Sequence, residues 1–294
     1  MGENTSQEDY SAYDIRPEVI NYDDLRKMIP ALDGHPKVAK WLMHLLQLDK
    51  VNTTHAAICD TPGHTFSKRL LFEQYKMQID VDGEDVLNHL PEGAFITVSN
   101  HPFGAIDGII LIYLFGERRP QFKVMVNMIL NYISAMRPNF IAVDPMASDD
   151  PAKRAVSVAG IRAVLKQLKN GEPIGFVPAG AMSKTTLRHG LQDRPWQDTV
   201  LQIIYKAKVP VIPVFFHGRN SRLCNIMGHV CWPLRSLMIP REMFNKSGKT
   251  VKVSIGQPIS VEKQSEFPNP EALGKFLREK TYELSDKEKE RKVK

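Results

Sequence analysis

A histidine and an aspartate six residues apart are the first residues in this sequence that could do chemistry. His101 follows an apolar run typical of a buried strand, and Asp107 begins an apolar run typical of a helix. Pro102 and Gly104 bend the chain between them. The Asp107 carboxylate can therefore reach one imidazole nitrogen of His101, which leaves the other nitrogen to take a proton from a hydroxyl or an amine. The alternative is structural: Asp107 only caps the helix, and His101 is a buried polar group with satisfied hydrogen bonds.

No serine or cysteine lies between His101 and Asp107 as a nucleophile. This favours direct attack by an activated acceptor over a covalent enzyme intermediate. Ser183 lies farther along the chain, and that distance in sequence does not exclude it as a nucleophile.

Two further segments that follow predicted strands carry small, polar or charged residues. In residues 178–184 (PAGAMSK), small side chains let backbone N–H groups approach an oxyanion or a phosphate, beside a hydroxyl and a cation. Residues 217–222 (HGRNSR) carry two arginines beside a histidine. The candidate substrate-binding residues are Asn100, Gly104, Pro178, Gly180, Ser183, Lys184, His217, Arg219, Asn220 and Arg222. An ordinary turn and a pair of surface arginines are the structural alternatives.

These segments need a scaffold that brings the ends of several strands together. Strand patterns occur at residues 76–81, 94–99, 122–126, 140–143, 174–177, 209–216 and 251–255, and helical patterns occur at 107–115, 149–168, 198–207 and from 270 onward. This alternation predicts an α/β domain with a central mixed, largely parallel sheet flanked by helices. In such a sheet, ligands bind outside the carboxyl ends of the strands, which is where the three segments lie.

The chain divides by pattern into an N-terminal helical segment (1–75), the α/β domain (76–262) and a C-terminal helix with a charged tail (263–294). The tail from residue 285 is expected to be frayed and solvated. In the N-terminal segment, a helix that starts near Pro36 carries an apolar stripe. The stripe consists of Val38, Trp41, Leu42, Leu45, Leu46 and Leu48. It can pack against the rest of the protein, or it can lie at a membrane interface beside Lys37, Lys40 and His44.

The charge is unevenly distributed along the chain. Residues 1–92 hold 9 Lys and Arg against 16 Asp and Glu, residues 93–260 hold 21 against 9, and the remainder holds 9 against 8. The basic middle predicts contact with an anionic membrane surface, a nucleic acid or an anionic substrate, unless it is only a solvated basic face. Its basic residues are spread out and lack interleaved aromatic residues, which argues against nucleic acid.

Composition excludes several classes of protein. Hydrophobic residues make up 43% and charged residues 24%, which excludes disordered, collagen-like and coiled-coil chains. Cys59, Cys224 and Cys231 are too few and scattered for a disulfide framework or a zinc module, which favours a reducing compartment. The longest strongly apolar run, residues 108–115, is too short to span a bilayer, and the acidic N-terminus is unlike a secretory signal. We therefore expect a cytoplasmic protein.

Three blocks together resemble one known enzyme family. The string SNHPFGAIDG resembles the Asn-His…Asp signature of the glycerolipid (lysophospholipid) acyltransferase superfamily, the PlsC-type enzymes. The five residues between its histidine and aspartate match a haemolysin-like branch that includes ornithine- and glycine-lipid O-acyltransferases. FVPAGAMSK resembles that branch's Phe-Pro-Ala-Gly block, and VPVIPVFFHGRNSR resembles its fourth block. The three blocks occur in the family's order between residues 76 and 260.

Two departures from the family pattern bear on the substrate. Ala179 and Ala181 occupy places in and after the Pro-x-Gly block where family members usually carry an acidic residue. Residues 140–145 (FIAVDP) end in aspartate and proline where the second block commonly has an arginine that grips the acceptor phosphate. The missing arginine favours an acceptor with a carboxylate, gripped by Arg219 and Arg222.

The resemblance implies an acyltransferase that moves a fatty acyl group from an acyl thioester, on acyl carrier protein or coenzyme A, to the hydroxyl of a lyso-lipid. His101 would be the general base, oriented by Asp107, and backbone groups around Gly104 and Gly180 would stabilise the oxyanion. No bound cofactor or metal is expected, and the protein would rest on anionic lipid at the inner face of the cell membrane.

The acceptor implied is a lyso amino-acid lipid of the ornithine or glycine type, with 1-acylglycerol-3-phosphate as the alternative. Two other classes remain open, a thioesterase or lipase and a non-catalytic lipid-binding module. The sequence lacks the Gly-x-Ser-x-Gly elbow of serine hydrolases, which argues against the first of these.

Overall fold

Seven of the nine strands in the described part of the chain form one sheet. The computed structural model describes residues 10–144, 151–186, 190–230 and 237–293. Its strands are β1 (Gln78–Asp82), β2 (Ile96–Ser99), β3 (Lys123–Asn127), β4 (Phe140–Val143), β5 (Ile174–Phe176), β6 (Lys184–Thr186), β7 (Gly190–Gln192), β8 (Val211–His217) and β9 (Thr250–Ile255). The sheet order is β1-β9-β8-β2-β5-β3-β4, while β6 and β7 form a separate antiparallel hairpin. Within the sheet β8 and β9 pair antiparallel and the other neighbours pair parallel, which confirms the predicted mixed, largely parallel sheet.

Helices flank this sheet. They are α1 (Tyr22–Met28), α2 (Pro36–Leu45), α3 (Leu48–Ala56), α4 (His64–Arg69), α5 (Glu84–Asn88), α6 (Ala105–Gly116), α7 (Pro151–Lys169), α8 (Asp198–Ala207), α9 (Arg222–Val230), α10 (Ile239–Phe244), α11 (Val261–Ser265) and α12 (Pro270–Val293). Three 3₁₀ turns lie at Pro30–Leu32, Met128–Tyr132 and Ser134–Asn139, and a π-helical turn at Leu70–Gln74 follows α4.

The seven strand patterns match β1 to β5, β8 and β9 to within two residues at each end. The helical patterns match α6, α7, α8 and α12, although residues 149–150 at the predicted start of α7 lie outside the described residues. The sequence pattern does not predict the β6–β7 hairpin or the short helices α9 and α10. Helix α12 also continues to Val293, past the point at residue 285 where the charged tail is expected to fray.

Helix α6 is buried almost all the way round, because the sheet covers one side and the N-terminal helices cover another. Eleven of its twelve residues are buried, which is what an all-apolar helix requires. Its Gly116 faces His64 of α4, and a Cβ at Gly116 would lie 2.6 Å from His64 Cβ. Only glycine lets α4 pack this closely. The core around α6 therefore includes side chains from the N-terminal helices, such as Leu25, Ile58 and Phe66.

The predicted apolar stripe is divided between two helices, α2 and α3, and its side chains lie in two environments. Leu42 and Leu48 are half-buried and pack against the core, as the packing interpretation predicts. Val38, Trp41 and Leu45 instead leave 50%, 63% and 59% of their surface exposed, so packing is the wrong interpretation for these three.

Membrane-spanning helices, cysteines and metal sites are the other features that the sequence raises. None of the described helices has the length and apolar content that crossing a bilayer would require. Cys59 and Cys224 are free thiols, and Cys231 lies outside the described residues. Within those residues, no group of three or more His, Cys, Asp or Glu is arranged to hold a metal ion.

Candidate active site

The carboxyl ends of three adjacent strands place the predicted segments at one edge of the sheet. β2 pairs in parallel with β5 on one side and with β8 on the other. The segment with His101 follows β2, residues 177–183 follow β5, and residues 218–221 follow β8. Parallel strands end at the same edge, so the three segments meet there.

His101 and Asp107 form the predicted pair. Nδ1 of His101 lies 2.9 Å from Oδ2 of Asp107. The ring N–H is not aimed squarely at this oxygen, an alignment that catalytic pairs often improve when substrate binds. Asp107 is fully buried, whereas His101 is partly exposed and lines a cavity. With Nδ1 turned to Asp107, Nε2 is the imidazole nitrogen left to exchange a proton.

Asp107 contacts the histidine and caps α6 at the same time. The oxygen that faces His101 also accepts the backbone N–H groups of Phe103 and Gly104, each at 3.0 Å. These bonds close the turn in which Gly104 has a φ of +86°, a conformation that favours glycine. Burial raises the pKa of the Asp107 carboxyl, and the His101 contact and the two backbone bonds oppose that shift. The catalytic and the capping interpretations of Asp107 are therefore compatible.

A cavity of about 260 Å³ opens beside His101. Apart from His101 itself, Asn127 and Gln197, its lining is apolar or glycine. The lining includes Gly108, Val124, Leu130, Phe140, Val143 and Ile239. The cavity therefore offers an apolar space next to a base.

The segment after β5 contacts residues 100–104, which we call the histidine loop, through its backbone. Ser183 N–H donates to the carbonyl of His101 at 2.8 Å. Gly180 lines the cavity, and its N–H donates to Val177 O at 3.0 Å. Since the N–H of Gly104 is also engaged by Asp107, neither glycine has its own N–H free for an oxyanion. The prediction that backbone groups around Gly104 and Gly180 stabilise an oxyanion therefore stays a prediction, and it falls to neighbouring N–H groups.

Other residues of this segment have structural contacts. Pro178 is buried, and its carbonyl accepts the N–H of Gln197 at 2.9 Å. Lys184 is half-buried at the start of β6. Their predicted contacts with substrate stay predictions.

The segment after β8 places its residues in different surroundings. Asn220 is buried, and its Nδ2 donates to Phe103 O at 3.4 Å and to Met182 Sδ at 3.7 Å, which sets this loop against the histidine loop. Gly218 has a φ of +122°, and a Cβ there would lie 2.9 Å from the ring of Phe103. The His217 ring instead contacts Ser254 Oγ on β9 at 2.8 Å, so it does not line the cavity.

Arg219 and Arg222 are both exposed at this edge. Within the described residues, neither guanidinium has a hydrogen-bonding or ion-pair partner. Asn220 and Ser221, which lie between the two arginines, instead form hydrogen bonds with other residues of the protein. The two cations are therefore available to an anionic group.

Comparison with known proteins decides what kind of enzyme carries this site. A family model described as acyltransferase matches residues 25–289.

The chain belongs to this acyltransferase family.

Two curated relatives of this acyltransferase have names that specify their substrates. A lyso-glycine lipid O-acyltransferase from Bacteroides thetaiotaomicron is 26% identical over 256 residues, which cover 84% of this chain and 89% of the relative. A lyso-glycine lipid O-acyltransferase from Phocaeicola vulgatus is 25% identical over 257 residues, which cover 84% and 87%.

A solved structure shares the fold of the acyltransferase. The crystal structure of the 1-acyl-sn-glycerophosphate (LPA) acyltransferase PlsC from Thermotoga maritima aligns with a TM-score of 0.50 at 18% identity. The alignment covers 85% of this chain and 88% of that one. Together with the family match and the curated relatives, this confirms that the chain is a member of the glycerolipid acyltransferase superfamily.

The acyltransferase site also contains buried charged residues that sequence patterns do not predict. Asp193 contacts the His101 backbone. Lys246 donates to the Arg219 carbonyl at 3.1 Å, and its Nζ lies 4.7 Å from the centre of the Phe103 ring. Burial lowers the pKa of the Lys246 amine. Glu242 accepts both the N–H and the hydroxyl of Ser221. None of these lies in a recognisable block, and their partners are distant in sequence, so spacing carries no signal for them.

Proposed function

We propose that this acyltransferase moves a fatty acyl group from an acyl thioester to the hydroxyl of a lyso-lipid, with His101 as the general base. The observation that carries the proposal is the His101–Asp107 pair, at 2.9 Å, beside an apolar cavity at the carboxyl edge of the sheet. A base next to an apolar space suits an acceptor hydroxyl and a long acyl chain.

The proposed reaction is a direct transfer. Nε2 of His101 takes the proton of the acceptor hydroxyl as its oxygen attacks the thioester carbonyl carbon. The tetrahedral intermediate then collapses, the carbon–sulfur bond breaks, and the proton passes to the departing thiolate. The buried Asp107 carboxylate stabilises the imidazolium that exists between these steps. Because a thiolate is a good leaving group, no covalent enzyme intermediate is required.

The oxyanion is assigned to the first turn of α6. The N–H groups of its first two residues, Ala105 and Ile106, have no partner within the helix, whereas that of Asp107 donates to Gly104 O at 3.0 Å. These first N–H groups carry the positive end of the helix dipole. Ala105 is the first residue of α6 and lines the cavity. Its N–H can therefore replace the engaged N–H groups of Gly104 and Gly180 as an oxyanion donor.

The acyl chain of the donor occupies the apolar cavity. Gly108 and Val124 line this cavity on facing elements, α6 and β3. A Cβ at Gly108 would lie 3.9 Å from Val124 Cγ1, so the absence of a side chain at Gly108 leaves the space open. No bound cofactor is needed, since acyl carrier protein or coenzyme A enters as part of the co-substrate.

The acceptor is a hydroxylated N-acyl amino acid, a lyso-lipid of the glycine or ornithine type. Arg219 and Arg222, with no partner in the described residues, can grip its carboxylate. The names of the two relatives, both lyso-glycine lipid O-acyltransferases, support this acceptor. The aspartate and proline that replace the arginine of the second block argue in the same direction.

The enzyme meets its lipid substrate at an anionic membrane surface, on the inner face of the cell membrane. Val38, Trp41 and Leu45 recur at helical spacing and form one exposed apolar face of α2. Lys37 and Lys40 are exposed beside it. An amphipathic face with lysines at its border is complementary to anionic lipid, and we call this surface the α2 face.

A side-by-side assay tests the acceptor. The purified enzyme is given one acyl donor, either acyl carrier protein-bound or coenzyme A-bound, with a hydroxylated N-acyl glycine or with 1-acylglycerol-3-phosphate. We expect the higher kcat/KM with the N-acyl glycine. A phosphate acceptor that wins by about tenfold or more, equivalent to about 1.4 kcal/mol, contradicts the proposal and assigns the enzyme to phospholipid synthesis.

Lipid profiles provide a second measurement. Cells that produce the protein should accumulate the O-acylated amino-acid lipid, and cells that produce His101→Ala should not. Free fatty acid as the main product would identify a thioesterase instead.

A further inference from the structure

A second buried carboxylate, Asp193, lies against the histidine loop. Its Oδ1 accepts the backbone N–H of His101 at 3.1 Å and the hydroxyl of Ser183 at 2.5 Å. Asp193 follows the β6–β7 hairpin and is only 6% exposed. Burying a carboxylate costs free energy unless it has partners, so its place here needs an explanation.

The bonds of Asp193 and Ser183 hold the backbone of His101 from both sides. Asp193 accepts the N–H of His101, and Ser183 N–H donates to the carbonyl of His101 at 2.8 Å. The hydroxyl of Ser183 then binds Asp193 in turn. His101, Ser183 and Asp193 therefore form a closed ring of hydrogen bonds around the peptide that carries the imidazole.

The C-terminal helix holds Asp193 in place. The backbone N–H of Asp193 donates to the Tyr282 hydroxyl at 2.9 Å, and the Arg278 guanidinium donates to the Asp193 carbonyl at 3.2 Å. Both side chains come from α12. The backbone of Asp193 is thus held by α12, and its side chain in turn holds the histidine loop.

We propose that Asp193 is a positioning residue, which sets the backbone of His101 so that the imidazole meets both Asp107 and the substrate. Asp193 places a buried carboxylate beside residues 178–184. In that block Ala179 and Ala181 stand where members of the acyltransferase superfamily usually carry an acidic residue. The inference rests on the proposed role of His101 as base, but the hydrogen bonds that it invokes do not depend on the substrate.

Two substitutions separate hydrogen bonding from packing. Asp193→Asn keeps an oxygen that can accept both the His101 N–H and the Ser183 hydroxyl. Asp193→Ala removes that oxygen. Asp198→Asn is the matched control, because Asp198 is exposed at the start of α8 and does not line the cavity. For each protein, kcat and both KM values are measured, together with the thermal unfolding temperature.

We expect Asp193→Ala to lower kcat by about tenfold or more with little change in either KM, since small misplacements of a catalytic group have effects of this size. Asp193→Asn should restore most of the kcat, and Asp198→Asn should resemble the unsubstituted enzyme. Wild-type kcat in folded Asp193→Ala would overturn the proposal, as would an Asp193→Asn variant no better than Asp193→Ala.

Hydrogen exchange at the His101 amide, followed by NMR without substrate, gives an independent readout. Exchange should accelerate in Asp193→Ala and stay slow in Asp193→Asn and Asp198→Asn. Unchanged exchange in Asp193→Ala would overturn the proposal. If His101→Ala stayed active while exchange responded as expected, the proposed base would fail and the positioning contact would stand. If Asp193→Ala does not fold, Ser183→Ala replaces it, because that change opens the same ring of hydrogen bonds.

Discussion

Asn100 and Phe216 join the histidine loop to the neighbouring strand by a reciprocal pair of hydrogen bonds. Asn100 Nδ2 donates to Phe216 O at 3.0 Å, and Phe216 N–H donates to Asn100 Oδ1 at 2.7 Å. The Asn100 side chain thereby extends the ladder between β2 and β8 beyond the last backbone pair. Both polar atoms of the Asn100 side chain form hydrogen bonds to Phe216. Asn100 therefore fixes the distance between the histidine loop and the segment after β8 that carries Arg219.

The first prediction concerns the base. His101→Ala should abolish transfer, and Asp107→Asn should lower kcat by about 10²-fold or more, because the general base loses its orienting partner. The matched control is His89→Ala, since His89 is exposed at the end of α5 and does not line the cavity. Steady-state assays are compared with circular dichroism on the same samples. Near-wild-type turnover by folded His101→Ala would rule out the mechanism.

The second prediction concerns stability and pH. Because burial raises the pKa of Asp107, the folded chain binds this proton more tightly than the unfolded chain does. The contribution of this group to stability is thus fully present at low pH and is lost as pH rises through the folded pKa. Asp107→Asn should therefore raise Tm at neutral pH, by roughly 2–4 °C for each kcal/mol recovered, and the gain should shrink as pH falls. A lower Tm at neutral pH would contradict this.

The third prediction concerns acyl-chain length. Gly108→Leu should fill part of the cavity and shift the preferred donor toward shorter chains, with little loss for the shortest. Gly108→Ala is the control, because its Cβ would meet Val124 at an ordinary contact distance of 3.9 Å, and alanine favours a helix by about 1 kcal/mol over glycine. Competition among donors of different length provides the measurement. An unchanged length profile in a folded Gly108→Leu enzyme would remove the acyl chain from this cavity.

The fourth prediction concerns the acceptor. Arg219→Lys keeps the charge but removes the planar fork that matches a carboxylate, so the KM for the acceptor should rise, by about threefold or more. The KM for the thioester donor should change little. Arg118→Lys, at the opposite end of α6, is the control. Equal changes in both KM values would mean that Arg219 does not read the acceptor.

Sequence patterns predict best where both partners of an interaction are local. His101 and Asp107 lie on either side of one turn, so their spacing suffices to predict the contact. Asp193 lies 92 residues from His101, and the unpredicted β6–β7 hairpin precedes it, so only the folded chain brings the two together.

Side-chain direction is the second quantity that spacing does not settle. His217 and Phe216 are neighbours at the end of β8 and point to opposite faces of the sheet, as strand geometry requires. The ring of His217 therefore reaches Ser254 on β9 instead of the cavity. The sequence alone places His217 near the edge but does not say which face it joins.

The last prediction concerns the membrane. If the α2 face rests on anionic lipid, binding to vesicles should need acidic phospholipid and should weaken as salt shortens the Debye length to about 8 Å at 0.15 M. Deleting residues 1–75 is an unsuitable test, because Leu25, Ile58 and Phe66 share a core with α6. The double substitution Trp41→Ser, Leu45→Ser removes two exposed side chains, each worth roughly 1.5–3 kcal/mol when buried, so binding should fall by at least about tenfold.

Leu165→Ser is the matched control, since Leu165 is 49% exposed on α7. Co-sedimentation with phosphatidylglycerol and phosphatidylcholine vesicles measures each case. Equal binding to both lipids, or equal loss in Leu165→Ser, would show that the α2 face is not the docking surface.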